Sequence, residues 1–460
     1  MSRIKLIVSL IWLSVCECKV AKYGHVQSPL YPEPYPVGLY MHWYLKVPHG
    51  YRIQLTFNHL DLEPSVNCSK DSLTVLHDRE VLGKFCGRKS TFTHHTGNRP
   101  ILSPGNHVCL VFETDESGPQ LHHGFFVFYE AVEVDCGILE LSDPDLVTLT
   151  EEDPLTTYNQ NISLKCLSEF YQLVGHANFT CDGTGNWVSE SGQNYSQNAP
   201  QCVPVCGRPT VDLNMRDRVL GGKAAPAGSF PWQVFLLAGS RSGAIVIGDR
   251  WLMTVAHNLE KINDVGNVKV FVGGVSVTEL VKLPSLPIAS LHVHPGYKNN
   301  EMRTNFDNDI ALIKLNSSIT FNENVMPLCL PAQDTELEHS GLVSGFGLTE
   351  TFHKANQLRY IQLPVVDQDL CHTFVETERA IHRNVAPLTA NMFCAGFPEG
   401  GKDTCSGDTG SAFVMKNNGM YWAAGIVSWG VECGKAGKYG IYTRVSKYAD
   451  WIKKTMEENQ

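Results

Sequence analysis

Residues 403–413 read DTCSGDTGSAF, and several of them suit acyl transfer from a peptide. This reaction needs a hydroxyl nucleophile, an imidazole base, a carboxylate that fixes the imidazole tautomer, and N–H donors for the developing oxyanion. Asp403 could lie at the base of a pocket for a cationic side chain, and the N–H groups of Gly407 and Thr409 could face the oxyanion. The position at which this pattern predicts a serine nucleophile holds Thr409.

Three earlier stretches could supply the other groups of such a site. His257 lies in WLMTVAHN, and Asp309 lies in NFDNDIALIKL, immediately before an apolar run that predicts a strand. The segment RVLGG contains the bond Arg218–Val219, a candidate cleavage site whose new terminal ammonium could pair with Asp408. The order of these stretches along the chain predicts a serine-type peptidase site with a precursor form.

Thr409 makes efficient catalysis doubtful. Its hydroxyl could be activated by His257, but the methyl group on Cβ makes χ1 stiff and must occupy space needed by the substrate carbonyl. A misplacement of about 1 Å can cost on the order of 10² in rate, and complete loss of a serine nucleophile costs about 10⁶. Ser406 and Ser411 depart from the expected pattern in the same loop, and Ser411 adds a Cβ where glycine permits unusual dihedrals. We therefore expect catalysis to be weakened or lost, and an active endopeptidase is the alternative.

Composition and the N-terminus predict a secreted, extracellular protein. Residues 1–18 resemble a secretory signal, because Arg3 and Lys5 precede an apolar run, Leu6–Val15, that is too short to span a bilayer. The 15 cysteines agree with an oxidising compartment. A net charge of −10 argues against nucleic acid as the main partner, and no other stretch predicts a membrane span. Four sequons predict surface glycosylation sites, at Asn161, Asn178, Asn194 and Asn316.

Short apolar runs separated by turn residues predict an all-β fold. YRIQLTF at 51–57 alternates apolar and polar residues, as expected for a strand with one buried face. The C-terminal stretch SKYADWIKKTMEENQ instead has apolar residues at helical spacing, which predicts an amphipathic helix docked on the body. These helix residues are Tyr448, Trp451, Ile452, Thr455 and Met456.

Residues 19–133 resemble a CUB domain, which implies a β-sandwich. The resemblance rests on SPLYPEPYP, HLDLEPSVNCSKDSLTVL, FCG and GFFVFY, and Cys68–Cys86 is a natural bridge within this region. Many CUB domains hold calcium with three acidic residues. The matching positions in this chain are Glu63, Asp71 and Asp115. Calcium prefers several hard oxygen ligands, so we expect a calcium site here, with solvated loop acids as the alternative.

Residues 134–203 resemble a complement control (sushi) module. A segment of this size needs disulfide staples, and its four cysteines allow three connectivities. Trp187 follows the third of these cysteines. Their order resembles the sushi pattern, which implies the pairs Cys136–Cys181 and Cys166–Cys202.

Residues 219–455 resemble a trypsin-type protease domain with two β-barrels, and among such domains they are most similar to the r and s proteases of the first complement component. RTNFDNDIALIKL, VSGFG, NMFCAGF and GIVSWG with YGIYTRV carry the resemblance. Asn258 stands where a cysteine usually follows the active histidine, so that loop disulfide is absent.

The resemblance assigns roles to individual residues of this domain. It implies a catalytic set of His257, Asp309 and Thr409, with oxyanion donors at Gly407 and Thr409. It implies an Arg/Lys-binding pocket formed by Asp403, Ser428, Gly430 and Gly440. It also implies an activation set of Arg218, Val219 and Asp408, and the disulfides Cys206–Cys329, Cys371–Cys394 and Cys405–Cys433.

The predicted order is one CUB domain, one sushi module, an activation linker at 204–218 and the protease domain. The first-component proteases carry two CUB domains, an EGF-like module and two sushi modules, so this chain is more similar in layout to a short r-like paralogue. The resemblance implies protein substrates or other complement and plasma proteins as partners, together with an activating protease. Haptoglobin has a related layout without catalysis, so a binding protein built on a protease scaffold is a further alternative.

Overall fold

The computed structural model describes residues 19–89, 96–116, 121–213, 222–298, 305–349, 353–382, 384–401 and 403–459. The predicted signal and the bond Arg218–Val219 lie outside these residues. The chain divides into two compact units, one with residues up to 167 and 173–202, the other with 168–172 and 203 onward. No helix in the described parts of the chain has the length and apolarity needed to cross a membrane.

Residues 19–133, which we call the N-terminal sandwich, form two sheets. Their strands are β1 (Lys19–Val20), β2 (Tyr23–Gln27), β3 (Tyr40–Lys46), β4 (Tyr51–Asp61), β5 (Ser72–His77), β6 (Glu80–Phe85), β7 (Ile101–Leu102), β8 (His107–Glu113) and β9 (Gly124–Glu133). One sheet has the order β1-β3-β8-β5-β6, and the other has the order β2-β9-β4-β7. In β4 the predicted alternation is confirmed, because Ile53, Leu55 and Phe57 are buried between the sheets.

Residues 134–203 form a small two-disulfide module. Its strands are β10 (Val147–Leu149), β11 (Asn161–Cys166), β12 (Tyr171–Val174), β13 (Asn178–Cys181), β14 (Trp187–Val188) and β15 (Gln201–Pro204). Trp187 is buried beside Phe179, and its indole N–H donates to the carbonyl of Gly137 at 3.2 Å. This small core explains why the module depends on disulfides for stability.

The C-terminal domain, described from residue 222, contains two larger sheets. Its strands are β16 (Lys223–Ala224), β17 (Gln233–Ala238), β18 (Ser240–Val246), β19 (Trp251–Thr254), β20 (Val268–Val272), β21 (Ile288–Val293), β22 (Ala311–Leu315), β23 (Ser340–Gly345), β24 (Arg359–Pro364), β25 (Met392–Ala395), β26 (Ala412–Asn417), β27 (Met420–Gly430) and β28 (Gly440–Arg444). The first sheet has the order β20-β17-β18-β19-β22-β21, and the second has the order β16-β24-β23-β26-β27-β28-β25. A large apolar core includes the fully buried Trp232.

The helices are few, as the all-β prediction requires. They are α1 (Val277–Leu280), α2 (Gln368–Ile381) and α3 (Ala449–Glu458), with 3-10 turns at Val66–Cys68, Thr96–Asn98, Ala256–Asn258, Val265–Asn267 and Val445–Tyr448. The C-terminal helix is confirmed: Ile452 of α3 is fully buried, and Trp451 and Met456 pack against the core. The sequence analysis did not predict α2, whose first turn is capped by the side chain of Asp367.

The structure contains the same six disulfides that the sequence analysis named. They are Cys68–Cys86, Cys136–Cys181, Cys166–Cys202, Cys206–Cys329, Cys371–Cys394 and Cys405–Cys433. Three predicted glycosylation sites, Asn161, Asn178 and Asn316, have exposed side chains. Asn194 is half-buried, and its side-chain oxygen accepts hydrogen bonds from Ser196.

Candidate active site

Two neighbouring strands bring His257 and Asp309 together. β19 and β22 are antiparallel, with Thr254 at the end of β19 opposite Ala311 at the start of β22. His257 follows β19 and Asp309 precedes β22, so both residues lie at the same edge of the sheet. The ring Nδ1 of His257 lies 2.8 Å from Asp309 Oδ2, and the backbone N–H of His257 donates to Asp309 Oδ1 at 2.9 Å.

The Asp309 carboxylate is completely buried and accepts a further hydrogen bond. The hydroxyl of Ser428 donates to its Oδ2 at 2.6 Å, and the hydroxyl of Thr443 donates to its backbone carbonyl at 2.9 Å. A carboxylate facing Nδ1 requires a proton on that nitrogen, which leaves Nε2 of His257 with the lone pair that a general base needs. Ser428, predicted to bind substrate, therefore has its side chain directed at Asp309, and its substrate-binding role stays a prediction.

An aromatic wall that the sequence analysis did not identify stands beside the imidazole. The ring of His257 meets the ring of Phe306 edge to face, with centroids 5.5 Å apart. Phe306 in turn stacks on Trp429 at 5.6 Å. These rings shield one side of His257 from water. Phe306 lies within the same NFDNDIALIKL stretch as Asp309, so an aromatic residue three positions before the carboxylate was the available signal.

The backbone of Thr409 is held by contacts from two segments. Its carbonyl accepts from the N–H of Gly243 at 2.8 Å and from the side-chain Nδ2 of Asn258 at 3.2 Å. The same Nδ2 donates to Thr254 Oγ1 at 3.2 Å, and Thr254 donates to the carbonyl of Gly243 at 2.9 Å. The result is a closed polar network that joins β18, β19 and the nucleophile loop where the usual disulfide is absent.

The side chain of Thr409 also faces Asn258. Its hydroxyl donates to Asn258 Oδ1 over 3.4 Å, which is long for an O–H···O hydrogen bond and therefore weak. Asn258 thus contacts both the backbone and the side chain of the residue at the nucleophile position. The sequence analysis noted Asn258 only for the missing cysteine. A short amide next to the candidate base was the signal that could have indicated this role.

Ser411 does not strain the loop, contrary to expectation. It is not among the residues with positive φ, so its Cβ occupies an ordinary backbone conformation. Its hydroxyl is fully buried and accepts from Gln233 Nε2 at 3.1 Å, while Gln233 Oε1 accepts from Ser344 at 2.8 Å. A Cβ at the neighbouring Gly243 would lie 2.1 Å from Ser411 Oγ, so the missing side chain at 243 makes room for the serine.

Gly407 and Gly410 have backbone conformations that favour glycine. Gly407 has a φ of +101°, and a Cβ there would lie 2.9 Å from the Cα of Gly347. Gly410 has a φ of +91°, and a Cβ there would lie 2.1 Å from the carbonyl oxygen of Gly243. The oxyanion-donor roles of the N–H groups of Gly407 and Thr409 stay predictions.

Three of the four residues predicted to form a cation pocket, Asp403, Gly430 and Gly440, lie close together. Asp403 accepts hydrogen bonds from the N–H groups of Thr404 at 2.8 Å and Gly434 at 3.2 Å. A Cβ at Gly440 would lie 3.0 Å from Asp403 Oδ1, and Gly430 is the strand partner of Gly440. Asp403 lines a cavity of about 300 Å³. Burial raises the pKa of its carboxyl to about 6.

Asp408 lines the same cavity. Its Oδ1 accepts from the N–H of Gly347 at 2.8 Å, and its Oδ2 accepts from the N–H of Cys405 at 3.1 Å. Burial raises the pKa of this carboxyl to about 6 as well. Gly222 also lines the cavity, and Val219 is three residues earlier, within about 10 Å of extended chain. Arg218 and Val219 themselves lie outside the described residues.

The three acids predicted to hold calcium form a cluster in the N-terminal sandwich. Carboxylate oxygens of Glu63, Asp71 and Asp115 lie within 4.8 Å of one another. Asp71 is completely buried, and it accepts from the hydroxyl of Tyr35 at 2.6 Å and from the N–H of Asp115 at 2.9 Å. The ammonium of Lys70 pairs with Glu63. Hard oxygen donors held in this way fit calcium.

The contacts of Asn258 generate a stability prediction. Asn258→Ala removes the amide that donates to Thr409 and Thr254, and we expect a cost of about 1–2 kcal/mol. In a domain of this size that cost lowers the Tm of the C-terminal domain by roughly 2–8 °C in differential scanning calorimetry. Asn267→Ala, at an exposed position, is the matched control. Equal Tm values for the two variants would show that the network does not stabilise the loop.

Comparisons with known proteins agree with this geometry. The trypsin family profile matches residues 219–452, and the CUB domain profile matches residues 16–129. The complement C1r subcomponent-like protein of Mus musculus is 35% identical, over 94% of this chain and 88% of that protein. The complement C1r-A subcomponent of Mus musculus is 31% identical, over 96% of this chain and 73% of that protein.

A third relative is the calcium-dependent serine proteinase of Mesocricetus auratus, 32% identical over 95% of this chain and 72% of that protein. The relatives thus match the chain from the CUB domain through the trypsin domain. The names of the relatives and the two profiles indicate a trypsin-type serine protease with a CUB domain, and the His257–Asp309 pair agrees with this. The chain belongs to the trypsin family, among the complement C1r-like serine proteases that carry a CUB domain.

Proposed function

We propose that the protein is a secreted, complement-type trypsin-like protease homologue whose catalysis is weakened or lost because of Thr409. The observation that carries this proposal is the contrast between the two halves of the site. His257 and Asp309 are joined by two hydrogen bonds, whereas the hydroxyl of Thr409 faces the amide of Asn258. A base and its orienting carboxylate are thus in place, and the residue that should attack is a β-branched alcohol.

The chemistry explains why Thr409 reduces the rate. A hydroxyl carries one hydrogen, and while it donates to Asn258 Oδ1 it cannot donate to the imidazole of His257. Rotation about χ1 would redirect the hydroxyl but would also move the methyl group within the site. A compensating shift of the backbone is opposed by the two hydrogen bonds that the Thr409 carbonyl accepts from Gly243 and Asn258. We expect a loss between about 10² and about 10⁶ in rate relative to a serine.

A second candidate function is an active endopeptidase that cleaves after Arg or Lys. Its specific support is that the remaining parts of the site are compatible with turnover: Asp309 orients His257, and Asp403 lies beside Gly440. Threonine nucleophiles act in other enzymes, where the N-terminal amine serves as base. The two candidates differ only in what Thr409 permits, so the side chain at this position decides between them.

Activation is part of the proposal. Cleavage of Arg218–Val219 would create an ammonium at Val219, and Gly222 already lines the cavity that contains Asp408. Pairing with an ammonium would keep the Asp408 carboxylate ionised, which burial now opposes. The disulfide Cys206–Cys329 would keep the two chains covalently joined after the cut.

The remaining domains complete the proposed molecule. We assign residues 1–18 to a secretory signal, 134–203 to a sushi module and 204–218 to the activation linker. Six disulfides support an extracellular location. Expected partners are protein substrates, other complement or plasma proteins and an activating protease. The proposal of complement or plasma partners is based on the names of the relatives, which are complement proteases.

Glu63, Asp71 and Asp115 are the proposed ligands of a calcium ion. One relative is named a calcium-dependent serine proteinase, and the three carboxylates converge within 4.8 Å. A bound calcium ion would neutralise the mutual repulsion of these acids. Tyr35 and the N–H of Asp115 orient the Asp71 carboxylate, so its position does not depend on the ion.

The central experiment replaces Thr409 with serine. Wild-type and Thr409→Ser chains are cleaved at Arg218 with an immobilised protease, which is then removed, and hydrolysis of an arginine ester and an arginyl amide is measured. We expect at least about a 100-fold higher rate for the serine variant, because the attacking oxygen loses its methyl neighbour. The double variant Thr409→Ser/His257→Ala should lose this gain. Wild-type turnover that matches Thr409→Ser and disappears in His257→Ala establishes the active endopeptidase instead.

The raised pKa of Asp403 predicts how a pocket ligand depends on pH. Benzamidine binds the ionised carboxylate, and its amidinium stays protonated between pH 5 and 8. Because the pKa of Asp403 is about 6, the ionised fraction falls as pH decreases through 6. In the cleaved chain an ammonium at Asp408 makes Asp403 easier to ionise, so the Kd should rise from pH 8 by at most about twofold at pH 6 and at most about tenfold at pH 5, as measured by calorimetry. Asp403→Asn should bind weakly at every pH. A pH-independent Kd, or no binding at all, contradicts the pocket.

Calcium binding is tested by the Tm of the N-terminal sandwich. Ligand at 100 times its Kd stabilises the folded state by about 2.7 kcal/mol, so millimolar calcium should raise the Tm of the wild-type transition. Asp115→Asn removes one half-exposed ligand while leaving the buried Asp71 intact, and it should abolish the shift. Asp78→Asn, at an exposed acid outside the cluster, should keep it. An equal shift in both variants shows that calcium binds elsewhere.

A further inference from the structure

A second group of possible metal ligands lies in the N-terminal sandwich. Ligand atoms of His77, Asp78 and His107 lie within 4.8 Å of one another. His77 is the last residue of β5, His107 is the first residue of β8, and Asp78 begins the turn to β6. Because β5 and β8 are antiparallel neighbours, with Leu76 opposite Cys109, the sheet itself places the two imidazoles side by side.

The backbone fixes which nitrogen of His77 is available. Its Nδ1 lies 2.9 Å from the carbonyl oxygen of His107, and a carbonyl only accepts, so the proton is on Nδ1. The lone pair of the neutral ring is therefore on Nε2, which lies 3.7 Å from Asp78 Oδ2. Histidine ligands of metals usually donate their other ring N–H to a carbonyl or carboxylate in this way. A Cβ at Gly105 would lie 2.9 Å from the ring, so glycine leaves room for it.

His107 is oriented by a similar arrangement. Asn106 Nδ2 donates to the carbonyl of Val47 at 3.1 Å, which turns Asn106 Oδ1 toward His107 Nδ1 at 3.4 Å. The other nitrogen, Nε2, lies 2.9 Å from Asp78 Oδ1. Both Nε2 atoms therefore face the same carboxylate. A metal ion would replace the proton between His107 and Asp78.

The donor set and spacing fit zinc better than calcium. Zinc binds imidazole nitrogen and carboxylate oxygen at about 2.0–2.2 Å in a tetrahedron, so its ligand atoms are about 3.3 Å apart. The nitrogen–oxygen separations are near that value: His107 Nε2 lies 2.9 Å from Asp78 Oδ1, and His77 Nε2 lies 3.7 Å from the other oxygen, Asp78 Oδ2. Calcium instead prefers six to eight oxygen ligands, which the separate cluster around Asp71 offers. His77 and His107 have side chains 16% and 39% exposed, so an ion can enter from solvent.

We propose that His77, Asp78 and His107 form a binding site for a zinc-class divalent transition metal, with water at the remaining position. The ion would join the ends of β5 and β8 to the β5–β6 turn at one corner of the five-stranded sheet. This site is chemically distinct from the proposed calcium site and does not depend on the state of the C-terminal domain. Imidazole donors favour zinc, copper, cobalt and nickel over magnesium and calcium.

The test uses the full, untagged chain, stripped with EDTA and then held in millimolar calcium to occupy the acidic cluster. Zinc chloride is titrated by calorimetry, and cobalt chloride is titrated by visible absorption, which reports a tetrahedral nitrogen–oxygen site. We expect one zinc ion per chain, and zinc should displace bound cobalt. Asp78→Asn and His107→Gln should each weaken zinc binding at least about 10-fold. Loss of a residue that only hydrogen-bonds to a metal ligand already lowers metal affinity by about that factor.

Matched variants distinguish this site from the acidic cluster and from exposed histidines elsewhere in the sandwich. Asp78 is exposed and has a φ of +51°, a conformation that asparagine tolerates, so Asp78→Asn should fold normally, and circular dichroism checks this. His42→Gln, at an exposed histidine of the same sandwich, and Asp115→Asn, in the acidic cluster, should leave zinc affinity unchanged. The proposal fails if a micromolar sample of the wild type binds no zinc when the zinc concentration is 100 times the protein concentration. It also fails if Asp78→Asn and His107→Gln bind zinc as the wild type does.

Discussion

The buried carboxylate of Asp309 is the constraint on which the candidate site depends. A buried charge is costly unless it is paired and hydrogen-bonded, and this one accepts from the backbone and ring of His257 and from Ser428. Two of these donors belong to His257 and the third to Ser428 of β27, so the two sheets must be correctly assembled before the carboxylate accepts all three hydrogen bonds. The His257–Asp309 contact therefore also satisfies a buried carboxylate, and its presence alone does not establish turnover.

Asn258 extends the same reasoning to the nucleophile loop. Where a disulfide is usual, its amide links Thr254 and Thr409 through hydrogen bonds. Such a link holds the backbone but also offers an acceptor to the hydroxyl of Thr409. A serine has one fewer substituent on Cβ and can rotate away from that acceptor with little steric cost, whereas threonine is stiffer. In the proposed site the amide and the methyl group would thus act in the same direction, since both would disfavour an attacking geometry.

Much of the architecture was predictable because it depends on local patterns and on strong resemblance. Alternation in β4 and the helical spacing around Ile452 followed from short motifs, whereas five of the six disulfide pairs were implied by the family resemblance. Three other features could not be predicted from the sequence. They are the role of Asn258, the packing of Ser411 against Gly243 and the proximity of His77 to His107. Each depends on side chains from strands far apart in sequence, and their distances follow only from sheet register. The expectation that Ser411 would disturb the loop was wrong, because Gly243 has no side chain and leaves room for the serine.

One cavity is lined both by Asp403, the proposed specificity residue, and by Asp408, the proposed partner of the ammonium that cleavage would create. Both carboxyls line it, burial raises the pKa of each to about 6, and the charge of Asp408 contributes to raising the pKa of Asp403. The charge of Asp408 therefore disfavours the ionisation of Asp403. A cation placed against Asp408 would remove that repulsion and also make Asp403 easier to ionise. Delivery of an ammonium by chain cleavage would therefore prepare the pocket for a cationic side chain, whether or not Thr409 then completes the reaction.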